Sequence, residues 1–299
     1  MTRVLLLTQP MSAAPYIEVL RDLAPELEAI EYRPDLDDSI LAEVEIALGW
    51  RLPAALVPRL PKLRWISSIA AGVEKLLPDD LPAAVRVSRI VDPEQAEGIA
   101  QHVVAMALRQ VRGLARYDAQ QLERRWQRYP MALARPRATV LGTGATGAVV
   151  VDWLQRVGFV VRGWNRRSGA LAAALADAEL VVCALPLTPA TESLLDAAAF
   201  ACMPRGAYLI NVARGEHVVE ADLITAVRSG HLAGAALDVQ RHEPMPAADP
   251  LWSVPGITIT PHIAAQSSVP TIVAQFVTAW RAWVSGGALP NEVDRGRGY

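Results

Sequence analysis

Three side chains in the second half of the chain, Arg214, Glu243 and His262, have the chemical types that reduction of a 2-keto acid requires. An arginine stays charged and binds a carboxylate through two parallel hydrogen bonds. A histidine can donate a proton near neutral pH, and a neighbouring carboxylate keeps its imidazolium populated. Taken singly, each residue has an ordinary alternative: a surface arginine, a solvated loop acid and a turn residue after Pro261.

These side chains lie in polar segments that follow predicted strands. Ligands of open α/β sheets bind at the carboxyl ends of the strands, so we expect the segments to share one site. The segments are Asn211-Val-Ala-Arg214-Gly215-Glu216, Leu237-Asp238-Val239 followed by His242-Glu243-Pro244, and Thr260-Pro261-His262.

A glycine-rich turn predicts a dinucleotide site. Gly142-Thr143-Gly144-Ala145-Thr146-Gly147 follows the apolar strand that begins at Ala138 and precedes a helical pattern that ends at Arg156. In this context the glycines permit a tight turn, backbone approach to a pyrophosphate and close helix packing, and the helix N-terminus receives the anion. A glycine-rich turn without a ligand is the alternative.

The end of the next predicted strand indicates which dinucleotide binds. A carboxylate at this position hydrogen-bonds the ribose of NAD, whereas arginine accommodates the 2′-phosphate of NADP. Here the strand Phe159–Trp164 ends in Asn165-Arg166-Arg167-Ser168. We therefore expect NADPH to be preferred over NADH. The alternatives are that both arginines are ordinary surface residues and that Asn165 accepts the ribose hydroxyl.

The elements that must position these residues alternate between strands and helices, which is typical of a parallel α/β sheet. A long amphipathic helix is predicted over Pro93–Gln127 and another over Thr271–Trp283. The strand candidates are Val4–Thr8, Glu45–Trp50, Leu63–Ile69, Val85–Ile90, Ala138–Gly142, Phe159–Gly163, Leu180–Leu185, Ala207–Asn211, Ala233–Val239 and Thr258–Thr260.

Composition excludes several classes of protein. The net charge of −2 offers no general positive field for nucleic acid or an anionic membrane. Cys183 and Cys202 are too few for a disulfide framework or a four-cysteine zinc site, and we expect no metal. Thr8 and Gln9 end the first apolar run too early for a signal peptide, and no stretch reaches the length of a membrane span, so we expect a cytoplasmic protein.

The motifs together resemble the D-2-hydroxyacid dehydrogenases over nearly the whole chain. Within that family, the Asn165-Arg166-Arg167 cluster and the ending Val293–Tyr299 most resemble the branch that reduces glyoxylate and hydroxypyruvate. Gln240 departs from the family pattern, which commonly has an aromatic residue there. The motifs that carry the resemblance are the glycine turn, Asn211-Val-Ala-Arg214-Gly215, Leu237-Asp238-Val239, Glu243-Pro244, Pro250-Leu-Trp252 and Thr260-Pro261-His262.

The resemblance implies two Rossmann-like parallel-sheet domains. A discontinuous, flavodoxin-like substrate domain is expected over residues 1–98 and 268–299, and a central NAD(P)-binding domain over residues 99–267. It implies that Arg214, Glu243 and His262 are catalytic and that Asp238 faces the nicotinamide. Further cofactor contacts are expected at Leu185, Pro186, Val212 and Ala213, and substrate contacts at Trp50, Ala71, Gly72 and Val73 beside Arg214 and His262.

The expected reaction is therefore NADPH-dependent reduction of a small 2-keto acid, glyoxylate to glycolate or hydroxypyruvate to D-glycerate. Two alternatives stay open: a family member acting on a larger or phosphorylated acid, and a non-catalytic module that senses a dinucleotide. The resemblance also suggests a homodimer, with the stretch Arg116–Ala132 as an arm. We expect no nucleic-acid or membrane partner.

Overall fold

The computed structural model describes residues 2–130 and 135–296. The chain divides into unit 1, Met1–Asp92 with Ser267–Tyr299, and unit 2, Pro93–Gln266. The first boundary lies six residues before the sequence-based one at residue 98, because a helix that begins at Pro93 packs as a whole within unit 2. The second boundary differs by one residue.

The strands of both units are short, as is usual for parallel sheets between helical layers. Within the described residues they are β1 (Thr2–Leu7), β2 (Leu27–Glu31), β3 (Ile46–Gly49), β4 (Trp65–Ser68), β5 (Arg86–Ser88), β6 (Arg137–Leu141), β7 (Val160–Trp164), β8 (Leu180–Cys183), β9 (Ala207–Asn211), β10 (Leu232–Leu237) and β11 (Ile257–Ile259).

The α-helices connect most successive strands, whereas short 3-10 turns at Ala54–Arg59, Glu74–Leu76 and Pro250–Ser253 connect β3 to β4, β4 to β5 and β10 to β11. In the same described ranges the α-helices are α1 (Ala14–Leu23), α2 (Asp38–Leu41), α3 (Pro93–Val111), α4 (Leu114–Leu122), α5 (Ala145–Arg156), α6 (Leu171–Leu175), α7 (Ala197–Cys202), α8 (Glu220–Arg228) and α9 (Val269–Val284).

Unit 1 has a parallel sheet in the order β2-β1-β3-β4-β5. This is the flavodoxin-like order, as expected from the resemblance. Helix α9 returns to this sheet and packs beside α1. Its Phe276 stacks on the buried ring of Trp65, with the ring centroids 5.1 Å apart. Because α9 covers part of this core, the unit needs both ends of the chain.

The segment after α9 is held to unit 1 by an ion pair. Arg86 on β5 donates from Nε and Nη2 to the two carboxylate oxygens of Glu292, at 2.6 and 2.7 Å. This bidentate contact lowers the pKa of Glu292 below its usual value. The pairing therefore fixes the returning chain at the β5 edge of the sheet.

Unit 2 has a second parallel sheet, in the order β11-β10-β9-β8-β6-β7. The chain order reverses between β6 and β8, and a switch point of this kind is where open α/β sheets bind ligands. Helices α3 and α5 pack together on this unit, with Val103 and Leu154 fully buried in the same apolar cluster. The expected α/β class with two parallel sheets is confirmed.

Three details of the predicted elements were wrong. The helix expected over Pro93–Gln127 is broken, because Gly113 has a left-handed backbone with φ of +61° and separates α3 from α4. Helix α4 ends at Leu122, five residues before the predicted end. Strand β2 was not predicted, because it lies at a sheet edge and only Leu27 among its residues is buried.

No helix in the described ranges has the length and apolarity required to cross a bilayer.

The two cysteines, Cys183 and Cys202, are free. Cys183 is buried on β8, and its burial raises the pKa of the thiol to about 12. Cys202 is partly exposed at the end of α7. Cys183 therefore behaves as a small apolar residue, as the sequence suggested.

Candidate functional site

The predicted site residues of unit 2 follow the carboxyl ends of its strands. The glycine turn follows β6, Asn165 follows β7, Leu185 follows β8, Arg214 follows β9 and His262 follows β11. Because these strands are parallel neighbours, their ends lie along one edge of the sheet. The fold therefore brings segments distant in sequence to the edge where a dinucleotide is expected.

Each glycine of the turn meets a different steric requirement. Gly142 has φ of +100°, and a Cβ there would lie 2.5 Å from the carbonyl oxygen of Ala184 after β8. A Cβ on Gly147, in the first turn of α5, would collide with the carbonyl oxygen of Gly142. Gly144 has open space at its Cβ position. Gly142 and Gly147 are therefore needed for packing, whereas Gly144 leaves room beside the N-terminus of α5 for an anionic group.

The loop after β7 is organised by Asn165. Its Nδ2 donates to Thr143 Oγ1 at 3.0 Å, and its Oδ1 accepts from the backbone N–H of Arg167 at 2.9 Å. Asn165 therefore ties this loop to the glycine turn, and one of the two lone pairs of its amide oxygen accepts from Arg167 N–H.

Arg166 and Arg167 are exposed in that loop. Among residues 2–130 and 135–296, no carboxylate lies within ion-pair distance of either guanidinium, whereas Arg162 on β7 pairs with Asp177 at 3.4 Å. Two cations in the loop after β7, beside the glycine turn, suit the 2′-phosphate of NADP.

Asn211, which is fully buried at the end of β9, shapes the loop that carries Arg214. Its Nδ2 donates to the carbonyl oxygen of Arg214 at 2.8 Å, and its Oδ1 accepts from the N–H of Ala213 at 3.1 Å. The next residue, Gly215, lies so close to Gln240 that a Cβ would collide with the Gln240 backbone. The loop of the half-buried Arg214 is thereby packed against the segment that leads to Glu243.

His262 and Glu243 form the predicted pair. His262 Nδ1 lies 2.9 Å from Glu243 Oε2, and Glu243 Oε1 accepts from the backbone N–H of Gln240 at 3.0 Å. The two side chains are 47% and 30% exposed, so the pair remains open to a ligand. The carboxylate contact engages Nδ1 and leaves Nε2 as the ring nitrogen available to a substrate. His242 is exposed, and Glu243 pairs with His262 instead.

Asp238 holds the histidine loop. Its buried carboxylate accepts hydrogen bonds from Thr260 Oγ1 at 2.5 Å and from the N–H groups of Ile263 and Ala264 at 2.9 Å each. The N–H of His262 also donates to the carbonyl oxygen of Asp238 at 2.8 Å. These bonds offset the cost of the left-handed backbone of His262, whose φ is +55°. The contact of Asp238 with a nicotinamide stays a prediction.

Two contributors to this edge were not predicted from the sequence. Gln240 is buried, and its Nε2 donates to the carbonyl oxygens of Leu237 and Thr260 at 3.0 and 3.4 Å. His217 is fully buried, and its ring contacts the segment after β8. The departure from the family pattern at position 240 was a signal for Gln240, but nothing in the local sequence distinguished His217 from a turn residue.

The substrate residues predicted in unit 1 follow the carboxyl ends of β3 and β4. Trp50 donates from Nε1 to the carbonyl oxygen of Gln9 at 2.7 Å, and Lys75 Nζ lies 4.8 Å from the centroid of the Trp50 ring. The Ala71–Val73 loop is shaped by Ser68, whose Oγ donates to the carbonyl oxygen of Gly72 at 2.9 Å. Val73 is a buried core residue, so only its backbone is suited to a ligand.

Comparison with known proteins identifies the family. Residues 104–264 match the model of the D-isomer specific 2-hydroxyacid dehydrogenase NAD-binding domain. A glyoxylate/hydroxypyruvate reductase A of Yersinia enterocolitica is 34% identical over 274 residues, which cover 85% of this chain and 88% of that protein. The chain belongs to the D-isomer specific 2-hydroxyacid dehydrogenase family.

Solved structures of the family have the same fold. A D-isomer specific 2-hydroxyacid dehydrogenase of Xanthobacter autotrophicus, in complex with NADPH and MES, is 36% identical with a TM-score of 0.91, and the match covers 100% and 99% of the two chains. An NADPH-dependent glyoxylate/hydroxypyruvate reductase of Sinorhizobium meliloti, in complex with NADP and sulfate, is 28% identical with a TM-score of 0.92 and full coverage of both chains. The prediction that this protein is a dehydrogenase of the family is confirmed.

A substitution at Gly144 should change cofactor binding without changing the stability of the fold. We expect Gly144→Val to weaken NADPH binding at least about tenfold, because its side chain occupies the open space beside the α5 N-terminus. Stability should change by no more than about 0.5 kcal/mol, because a Cβ at this position has no protein atom within 4 Å. Calorimetric titration with NADPH and urea unfolding measure the two effects. Gly147→Ala is the contrasting control and should lose stability, whereas wild-type affinity in Gly144→Val would contradict the cofactor assignment.

Proposed function

We propose that the protein reduces small 2-keto acids with NADPH, with glyoxylate to glycolate and hydroxypyruvate to D-glycerate as the favoured reactions. The observation that carries this proposal is the 2.9 Å contact between His262 Nδ1 and Glu243, at the sheet edge that also carries the glycine turn. The names of the Yersinia and Sinorhizobium relatives support the choice of substrates.

In the proposed reaction His262 is the general acid. Its Nε2 donates a proton to the carbonyl oxygen of the substrate as hydride, the chemistry that NADPH supplies, reaches the carbonyl carbon. Glu243 contacts Nδ1, so it orients the ring and stabilises the protonated imidazole before transfer. The exposure of both side chains leaves room for a small substrate at this pair.

The substrate carboxylate is assigned to Arg214, because the planar guanidinium matches its two oxygens. Nη1 of Arg214 also donates to the carbonyl oxygen of Ala213 at 2.7 Å, which holds the side chain back along its own loop. We assign the backbone of Ala71, Gly72 and Val73 and the ring of Trp50 to the same substrate, as the family resemblance implies.

Residues along the unit 2 sheet edge are assigned to the cofactor. The glycine turn takes the pyrophosphate, while Arg166 and Arg167, in the loop that Asn165 shapes, take the 2′-phosphate. The nicotinamide half is assigned to segments after β8, β9 and β10. In full, the cofactor residues are Gly142, Thr143, Gly144, Ala145, Thr146, Gly147, Asn165, Arg166, Arg167, Leu185, Pro186, Val212, Ala213 and Asp238.

A parallel assay of the two nucleotides tests the reaction and the cofactor together. Purified protein with glyoxylate should oxidise NADPH much faster than NADH, measured by loss of nucleotide absorbance. Arg166→Ala and Arg167→Ala should each raise KM for NADPH about tenfold and leave KM for NADH little changed, because only NADPH carries the 2′-phosphate. Arg156→Ala, which removes an exposed arginine of α5 paired with Asp152, is the control.

The other outcomes of that assay are equally informative. A preference for NADH would overturn the role of Arg166 and Arg167 but leave the reaction standing. Activity only with larger or phosphorylated keto acids would replace the proposed substrates. Binding of NADPH without turnover of any 2-keto acid would favour a dinucleotide-sensing module.

A larger, more anionic substrate is the second candidate. Lys75 is one of only two lysines in the chain, and its exposed ammonium lies 4.8 Å from the Trp50 ring centroid. If Trp50 contacts the substrate, this cation favours a second acidic group at the far end of the molecule. A higher kcat/KM for a phosphorylated keto acid than for glyoxylate or hydroxypyruvate would select this candidate.

The role of Glu243 predicts a loss of turnover without a loss of cofactor binding. In Glu243→Gln the His262 ring loses the carboxylate that orients it. We expect kcat with saturating NADPH to fall about tenfold or more, while the Kd for NADPH changes less than about twofold. Glu192→Gln, whose carboxylate contacts Arg241 instead, is the control. A wild-type kcat in Glu243→Gln would contradict the orienting role of Glu243.

The proposed homodimer uses the segment from Arg116 to Tyr129. The predicted arm extends to Ala132, but its residues Met131 and Ala132 lie outside the described part of the chain. Leu122 and Trp126 are 88% and 92% exposed, which is unusual for large apolar side chains unless they meet a partner. Nearby, a cavity of about 550 Å³ contains the buried Gln120, whose Nε2 has no acceptor within residues 2–130 and 135–296. A second copy of the chain would cover these groups.

Light scattering after size-exclusion chromatography tests the dimer. The wild type should have twice the mass of one chain, and Trp126→Glu should shift the protein toward the monomer, because it places a charge on the apolar contact. Trp252→Glu, at another exposed tryptophan of unit 2, is the matched control. A monomeric wild type, or an unaltered dimer in Trp126→Glu, would contradict the assignment. The cytoplasmic location stays a prediction from the sequence.

A further inference from the structure

The ring of His217 lies between two backbone carbonyl groups. Its Nδ1 is 2.9 Å from the carbonyl oxygen of Thr191, and its Nε2 is 3.0 Å from the carbonyl oxygen of Leu185. The residue is fully buried on the short turn Gly215–His217 that follows Arg214. Neither the glycine turn nor the proposed proton transfer uses this histidine.

The two contacts hold the ring between the two carbonyl groups. A carbonyl oxygen can only accept a hydrogen bond, so a ring N–H donates to Thr191 or to Leu185. The other ring nitrogen lies within 3.0 Å of the second carbonyl oxygen, so the ring fills the space between the two residues.

We propose that the buried ring of His217 positions the segment Leu185–Thr191, which begins with the assigned cofactor residues Leu185 and Pro186, and this proposal rests on the NADPH-dependent function proposed above. Leu185 and Thr191 are the first and last residues of that segment, so the ring of His217 connects its two ends. Pro186 lies between them, and its carbonyl oxygen accepts from Thr191 Oγ1 at 2.7 Å. The segment is thus a closed loop anchored at both ends on one side chain.

The position of Leu185 matters because it borders the glycine turn. A Cβ built on Gly142 would lie 3.0 Å from the backbone N of Leu185 and 2.5 Å from the carbonyl oxygen of Ala184. The start of the Leu185–Thr191 segment therefore forms the wall against which the turn packs. A shift of this wall would change the space offered to a dinucleotide.

His217 also links that wall to the loop of the substrate arginine. The backbone N–H of His217 donates to the carbonyl oxygen of Arg214 at 3.3 Å. One residue therefore contacts the segment assigned to NADPH through its ring and the segment assigned to the substrate carboxylate through its backbone. We describe it as a positioning residue, because its ring is buried among protein atoms rather than open to a ligand.

Other bonds should keep the protein folded when the ring is changed. The N–H of Ser193 donates to the carbonyl oxygen of Glu216 at 2.8 Å, and the N–H of Val219 donates to that of Leu195 at 3.0 Å. Arg241 Nη2 also donates to Ser193 Oγ and to the carbonyl oxygen of Glu216, both at 3.1 Å. Loss of the His217 ring therefore releases Leu185 and Thr191 while the following residues stay paired.

The first test is nitrogen-15 NMR of the histidine rings in the wild-type protein, with the His217 signals assigned by their absence in His217→Gln. A ring N–H of His217 should exchange slowly with water, because the ring is buried against two carbonyl oxygens. A ring N–H that exchanges as fast as those of exposed histidines would overturn the contacts. This measurement does not depend on any activity.

The second test compares His217→Gln with His231→Gln. Gln has a single amide nitrogen, so it can keep one of the two contacts and loses the other. His231 is a matched control, because its Nε2 contacts the carbonyl oxygen of Phe200 at 2.8 Å just before β10, at the opposite end of the strands. We expect His217→Gln to raise the Kd and KM for NADPH about tenfold, while kcat at saturating NADPH changes less than about twofold. His231→Gln should leave all three values near those of the wild type.

Hydrogen exchange distinguishes failure of this proposal from failure of the proposed function. Exchange of the amides in residues 185–191 should become faster in His217→Gln and not in His231→Gln, whether or not NADPH binds. Unchanged exchange in both variants, or equal losses of NADPH affinity in both, would overturn the positioning role. If wild-type protein failed to bind NADPH but the NMR and exchange results held, the proposed function would fall and the positioning role of His217 would stand.

Discussion

The buried carboxylate of Asp238 is the interaction on which the proposed catalytic edge depends. It accepts from Thr260 Oγ1 and from two successive N–H groups after His262, while its own carbonyl oxygen accepts from the N–H of His262. A buried carboxylate without partners would be very costly, so Asp238 requires these donors. The loop that supplies the donors in turn requires Asp238 to hold its conformation. The result is a rigid loop in which the strained backbone of His262 is stable.

The rest of the edge is built by close contact between backbones. Glycine at position 215 lets the Arg214 loop lie against Gln240, and glycine at position 142 lets the first turn lie against the end of β8. Gln240 then donates its backbone N–H to Glu243, which contacts His262. Arg214, Glu243 and His262 therefore belong to one packed arrangement, and movement of any segment would disturb its neighbours.

Several features could be predicted from the sequence because their causes are local. The glycine turn requires its own glycines, and the apolar runs of β6, β8 and β9 are continuous because both faces of a parallel strand are buried. The break after α3 was missed because apolar spacing continues past Gly113, whose left-handed backbone ends the helix. Strand β2 was missed because an edge strand with one buried residue has little apolar pattern.

The sequence by itself determined the α/β class, the family, and the chemical types at the predicted site, since these depend on residue identity and on periodicity along the chain. Only the tertiary structure decided which carboxylate meets which donor. Glu243 contacts His262 across 19 positions, Asp238 holds Ala264 across 26, and His217 reaches Leu185 across 32. Contacts over such separations arise from the order of strands in the sheet, because that order places the strand ends side by side. No pattern of neighbouring residues encodes which loops will become neighbours in space.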